Sequence, residues 1–150
     1  MVKHALWIII VCMVSCKAQK EGQLQGDPDI VLIAQDGFSG IQEYETSVIK
    51  DAKSLNKFYS RINRTRKPGL PVPTMDFSKD MVIAVCLGDR TGQPTPLLYR
   101  LSETDSDISL ALDLGNISKE EIQLTVISNP FYLFKMPLTT KKVDIQRVKR

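Results

Sequence analysis

A single cysteine, Cys86, stands near the end of an unbroken apolar run, Met81 to Leu87, and a glycine-bounded polar loop follows it, Gly88-Asp89-Arg90-Thr91-Gly92. A strand that empties into such a loop is a common seat for a nucleophile or a phosphate cradle. Neither chemistry assembles from these residues. A phosphate cradle needs a helix N-terminus behind the loop, whereas Gln93-Pro94-Thr95-Pro96 comes next and no Gly-Lys-Ser/Thr triplet occurs. A cysteine nucleophile needs a base to hold it as thiolate, and the flanking Val85 and Leu87 instead favour the neutral thiol. The only histidine is His4, inside a leader-like segment, which excludes a Ser-His-Asp arrangement in the processed chain and leaves no imidazole for a metal. The carboxylate pairs Glu43/Glu45 and Glu120/Glu121 read as exposed strand and turn residues, and Asp105 and Asp107 as a solvated hairpin tip. No catalytic residue, metal site or cofactor is therefore expected, and Cys86 is expected to be packing.

Basic residues form the strongest charge feature: Lys57, Arg61, Arg64, Arg66 and Lys67. Phe58 and Tyr59, between Lys57 and Arg61, belong to the apolar face of the expected helix and form no base-stacking surface among the cations, and a net charge of +3 over 150 residues gives no case for nucleic acid. A solvated helix face explains them, with an acidic partner or lipid headgroups as the functional alternative.

The N-terminus addresses the compartment. Lys3 and His4 precede an apolar stretch, Ala5 to Val14, of about ten residues, too short to span a bilayer and suited to a signal peptide. Met13-Val14-Ser15-Cys16 follows, an aliphatic residue, a tolerant position, a small residue and a cysteine, which resembles a bacterial lipobox. The reading is a lipoprotein signal peptide over residues 1–15, lipidation at Cys16, a polar tether over residues 16–28 and one domain over residues 29–150. The expected location is the bacterial cell envelope, lipid-anchored at the outer membrane and facing the periplasm or the surface. With Cys12 removed and Cys16 lipidated, Cys86 has no partner for an intramolecular disulfide.

The elements that must position the loop follow from periodicity. Ile30–Ala34 and Ile41–Ile49 read as strands. Asp51 is a helix N-cap, and Ala52, Leu55, Phe58, Tyr59 and Ile62 recur at helical spacing over residues 52–63. Met81–Leu87 lacks polar alternation and should be a central strand buried on both faces. Leu97–Leu101, Ile108–Leu114, Ile122–Val126, Phe131–Met136 and Val143–Val148 complete a predominantly β pattern, and Ser118-x-x-Glu121 can cap a single helical turn. About seven strands and one amphipathic helix predict a mainly β (α+β) domain, an antiparallel sandwich or partly closed barrel with the helix against one side.

Pro73-Thr74-Met75-Asp76-Phe77-Ser78-Lys79, the apolar strand ending in Gly88, and Ser128-Asn129-Pro130-Phe131-Tyr132 together resemble the C-terminal domain of the PrcB-type protease-complex accessory lipoproteins, over roughly residues 72–138. The resemblance implies a non-enzymatic, lipid-anchored protein that binds or stabilises a partner protein, a secreted or surface protease. The alternatives are a loop-based protease inhibitor and an envelope module that binds a small ligand or glycan. The chain departs from the family where Gly92-Gln93-Pro94 replaces the usual Gly-Gly-Tyr. The candidate partner-binding residues are Asp89, Arg90, Thr91, Gly92 and Gln93.

Overall fold

The computed structural model describes residues 26–92, 94–115 and 127–148. The lipobox-like segment with Cys16, most of the expected tether, Gln93, the helical turn expected at Ser118-x-x-Glu121 and the strand expected at Ile122–Val126 lie outside the described residues.

Strands β1 (Val31–Asp36) and β2 (Tyr44–Ile49) lead into helix α1 (Ala52–Ile62), followed by β3 (Asp80–Leu87), β4 (Arg90–Thr91), β5 (Leu97–Glu103), β6 (Asp107–Asp113), β7 (Ile127–Ser128), β8 (Phe131–Pro137) and β9 (Lys142–Val148). The main sheet has the order β1-β8-β3-β2 and is antiparallel throughout. A second sheet, β5-β6-β9, faces it, and β4 pairs with β7 in a short ribbon. The sheets remain separate, a sandwich with a helix on its outer face rather than a closed barrel.

The unbroken apolar run becomes β3 because both of its faces are covered. Alternate side chains of a strand point to opposite faces. Met81, Ile83, Val85 and Leu87 join Tyr132, Phe134 and Met136 of β8 against Leu98, Ile108, Leu110 and Leu112 of the second sheet. Val82, Ala84 and Cys86 join Phe131 and Leu133 against Leu55, Phe58, Tyr59 and Ile62 of α1. Each large side chain so buried contributes about 1.5–3 kcal/mol, so the core is built about β3 and β8, which lie side by side in register from Asp80↔Pro137 to Cys86↔Phe131.

Helix α1 starts where its cap allows. Asp51 accepts the Ser54 backbone N–H at 2.7 Å and the Ser54 hydroxyl at 2.8 Å, filling a free donor of the first turn. It ends at Ile62, with Asn63 as its C-cap. Asn63 then folds the chain back, its side-chain amide donating to the Leu70 carbonyl at 2.9 Å while its Oδ1 accepts the Leu70 N–H at 2.8 Å. The Asp76-Phe77-Ser78 segment is a turn in which Asp76 Oδ1 accepts the Ser78 N–H at 3.1 Å and Phe77 packs on the helix-side core.

Three details differ from the sequence reading. Strand β9 pairs with β6 in parallel, so the sandwich is antiparallel except at that edge. The chain leaves β8 at Pro137 and enters β9 in the opposite sheet, and such a crossover sets no antiparallel hairpin register. Strand β2 begins at Tyr44 rather than Ile41, because residues 41–43 serve the loop cluster described below. Finally, residues 26–28 already touch the body: Asp27 accepts the Asp29 N–H at 3.0 Å and its carboxylate lies 3.4 Å from Arg100 Nε.

Candidate protein-interaction surface

The loop after β3 lies at one end of the main sheet, and Asn129 fastens it there. Asn129 precedes Pro130 at the entry to β8 and is only 7% exposed. Its Oδ1 accepts the backbone N–H groups of Ser39 at 3.0 Å and Gly40 at 2.8 Å, and its Nδ2 donates to Asp89 Oδ1 at 3.1 Å. The Asn129 carbonyl also accepts the Ser39 hydroxyl at 2.7 Å, and its own N–H donates to the Gly37 carbonyl at 3.2 Å. One buried amide thus joins three segments: residues 37–40, the loop at Asp89 and the start of β8. Burial without partners would cost about 1–3 kcal/mol, so each bond is strongly favoured over its absence.

The other fastenings act through the backbone. Gly88 has φ +73°, and a Cβ there would stand 2.7 Å from the Gln42 carbonyl oxygen. Only glycine admits both that conformation and that approach. The next residue, Asp89, donates its N–H to the same Gln42 carbonyl at 2.9 Å. Arg90 and Thr91 pair with Ser128 and Ile127. At the far end, the Tyr132 hydroxyl donates to the Pro94 carbonyl at 2.6 Å from within the core.

The five residues singled out from sequence occupy distinct situations. Asp89 and Thr91 are exposed. Arg90 is half-buried, and its Nε is shielded without a hydrogen-bond partner among the described residues. Burial pushes its pKa below the ordinary arginine value, Tyr132 opposing the shift and Arg147 adding to it. Gly92 is buried at φ +76°, and its carbonyl lies 3.4 Å from the Ser128 hydroxyl, so it shapes the loop from beneath. Gln93 lies outside the described residues.

Two residues that sequence reasoning passed over complete the surface. Phe38 is 47% exposed, with the Arg66 guanidinium 5.7 Å from its ring centroid. Ile127, beside Thr91 in the short ribbon, is 67% exposed. Arg66 also pairs with Asp36 and donates to the Phe38 carbonyl, so the aromatic ring is held by a cation that is itself held. Burial alone would raise the Asp36 pKa, but the hydrogen bonds from Arg66 and the Phe38 N–H, with the Arg66 charge, bring it below the ordinary carboxylate value. An exposed ring beside an N–H-rich turn is a signal for such a surface, yet Phe38 follows Asp36-Gly37 and reads locally as part of a turn.

Cys86 offers the loop no reactivity. Its side chain lies on the helix face of β3, 1% exposed, and burial first, with Glu45 adding to it against Arg61, pushes the thiol up to about 12. Among the described residues no cluster of three His, Cys, Asp or Glu side chains is placed to hold a metal ion. Asp105 and Asp107 sit on the β5–β6 hairpin, where the Asp107 N–H donates to Thr104 Oγ1 at 3.0 Å. Glu45 is committed to Arg61 through two hydrogen bonds of 2.7 and 2.9 Å. Comparison with protein-family models, curated proteins and solved structures finds no match for this chain.

Proposed function

We propose that this chain is a non-enzymatic, lipid-anchored envelope protein that binds or stabilises a partner protein, a secreted or surface protease, through the loop end of its main sheet. The observation that carries the reading is the fastened loop: Asn129 holds it at Asp89, β7 at Arg90 and Thr91, and Tyr132 at Pro94, while Asp89, Thr91, Phe38 and Ile127 stay open to solvent. A loop already held in one conformation loses little entropy on binding, and an aromatic and an aliphatic side chain supply the apolar contact. The resemblance to protease-complex accessory lipoproteins supplies the class of partner, and the lipobox supplies the anchor.

The test is affinity capture of the tagged full-length protein from detergent-solubilised envelopes, with mass spectrometry, beside Thr91→Glu and Phe38→Ser. The expected result is a protease enriched with the wild type and lost with either variant. Equal recovery with all three proteins refutes the loop end as the contact. A captured protease whose turnover stops at micromolar concentrations of this protein assigns the inhibitor role instead.

A further inference from the structure

We infer that the edge of β2, which no strand among the described residues covers, is together with the cationic wall of α1 a docking groove for an extended acidic peptide that joins the main sheet as a fifth strand. The inference does not rest on the loop end as a contact.

The first observation is the edge itself. Strand β2 ends the order β1-β8-β3-β2, and its six residues pair with β3 one to one, without a register shift. The Leu87 N–H donates to the Pro130 carbonyl, toward β8. Because backbone groups alternate sides along a strand, Cys86, Ala84 and Val82 then point theirs toward Glu45, Ser47 and Ile49. Tyr44, Thr46 and Val48 must direct their N–H and C=O groups outward, and no backbone bond among the described residues engages them.

Edges of this kind are normally blunted by bulges, proline or charge. Strand β1 carries a register shift between Leu32 and Ala34, and β5 one between Arg100 and Ser102. Strand β9 has Lys142, Asp144, Gln146 and Arg147. Strand β2, Tyr-Glu-Thr-Ser-Val-Ile, has neither bulge nor proline, and its one charge, Glu45, is paired with Arg61 of α1.

The second observation is the groove beside it. One concavity is lined by Gly40–Glu43, Glu45, Lys57, Ser60, Arg61 and Arg64. A second is lined by Glu45, Ser47–Ile49, Ser54, Lys57, Phe58 and Arg61. Both include Glu45, Lys57 and Arg61, so they run into one another along the length of β2. The helix supplies the far wall, and from residue 52 to residue 67 the chain carries Lys53, Lys57, Arg61, Arg64, Arg66 and Lys67 without one acidic residue. Glu45 occupies Arg61, whereas Lys57 and Arg64 are exposed.

An added strand would point alternate side chains toward α1, as Glu45 and Ile49 do. Carboxylates at every second position would then meet Lys57 and Arg64. An anionic membrane offers no row of alternating peptide N–H and C=O groups at strand spacing for the edge, and the described chain begins at Gly26, against Leu97 of the sheet on the other side of β3 from α1.

The experiment measures fluorescence anisotropy of a labelled peptide of about eight residues with alternating Glu and Thr, titrated with the full-length protein in detergent, beside a Gln/Thr peptide and anionic vesicles. Saturable binding of the Glu/Thr peptide is expected, weakening as salt rises. Lys57→Glu/Arg64→Glu should weaken it about tenfold or more. Thr46→Pro should abolish it while the thermal midpoint stays close to wild type, since that N–H faces away from β3 and proline is tolerated on such an edge. Val48→Pro serves as the second blocking variant should Thr46→Pro fail to fold. Undiminished binding to a folded proline variant, equal binding of the Gln/Thr peptide, or binding of vesicles alone overturns the inference.

Discussion

Replacing Asn129 by aspartate tests the clamp with almost no change in shape. The remaining oxygen still accepts the Ser39 and Gly40 N–H groups, so the loop at residues 37–40 keeps its bonds. The amide that donates to Asp89 becomes a second carboxylate oxygen, about 3.1 Å from Asp89 Oδ1. The variant loses a hydrogen bond to a charged acceptor, about 1.5–3 kcal/mol. It also gains a like-charge contact, which solvent screens at the exposed Asp89. A net loss of about 2–3 kcal/mol at neutral pH is expected, or roughly 8–12 °C in thermal midpoint for a body of this size. Urea unfolding followed by circular dichroism measures it, with an unchanged m-value as the sign that the unfolded state is not what moved. Adding Asp89→Asn reverses the pair, because the amide introduced on the loop can donate to the carboxylate introduced at the entry to β8, and should restore at least half the loss. The coupling in that cycle isolates the contact from whatever each single change does alone. Asn129→Asp at wild-type stability, or a double variant no better than the single one, would refute the argument that this bond fastens the loop.

Three further outcomes follow from the same geometry. Gly88→Ala should cost about 3 kcal/mol or more, since its Cβ would press on backbone at Gln42 and Glu43, while Gly40→Ala, at φ +70° with no atom within 4 Å of its Cβ, should cost only about 1 kcal/mol; paired urea titrations give the contrast, and equal costs would contradict it. Cys86 in the folded protein should resist aromatic disulfide reagents at pH 8 and react only as fast as the chain opens, which peptide mapping of the modified thiol reports; rapid native labelling would show the helix-side core to be open. The Glu45 pKa is held below its ordinary value, first by the Arg61 hydrogen bond, with burial opposing and the Arg61 charge assisting. A depressed carboxylate stabilises the fold in full above its unfolded pKa and loses that contribution as pH falls through its folded value. The stability difference between wild type and Glu45→Gln should therefore be level from about pH 7 to 5 and shrink below about 4, and at this exposed pair stay within about 1 kcal/mol; a difference that grows on acidification would reverse the assignment.

The parts of the fold legible in the sequence are those whose cause is local. Asp51 caps α1 through a residue three positions on, and Leu55, Phe58, Tyr59 and Ile62 share one face because the helix repeats every 3.6 residues. The unbroken Met81–Leu87 run announces a strand covered on both sides, and Cys86 within it reads correctly as packing. What was illegible depends on distant segments meeting. Asn129 beside Pro130 looks like a turn, and nothing near it in sequence indicates that Ser39, Gly40 and Asp89 converge on its amide. The glycines flanking the loop are visible, but that Gly92 lies beneath it and Thr91 on its surface depends on β7, whose pairing with β4 spans more than thirty residues. The parallel β6–β9 pair and the place of β2 at the end of the main sheet's described order are equally invisible, since alternation fixes which face a residue takes and not which strand becomes its neighbour.

The loop end and the β2 groove meet at residues 40–43. The Gly40 N–H donates to Asn129, the Gln42 carbonyl accepts from Asp89, and both residues line the upper part of the groove. A strand laid along β2 and continuing past Tyr44 would run toward the segment that supports the loop. Whether one partner spans both surfaces is decidable with Thr91→Glu and Thr46→Pro, neither of which removes a clamp residue. If one polypeptide occupies both, each change weakens capture of the same protein, and the Glu/Thr peptide competes with it for the wild type. If the surfaces serve different partners, Thr91→Glu leaves peptide affinity untouched, and saturating peptide leaves the captured protein bound. The continuous run of the groove into the Gly40–Glu43 segment favours the first outcome, and peptide that fails to displace a partner sensitive to Thr91→Glu would decide against it.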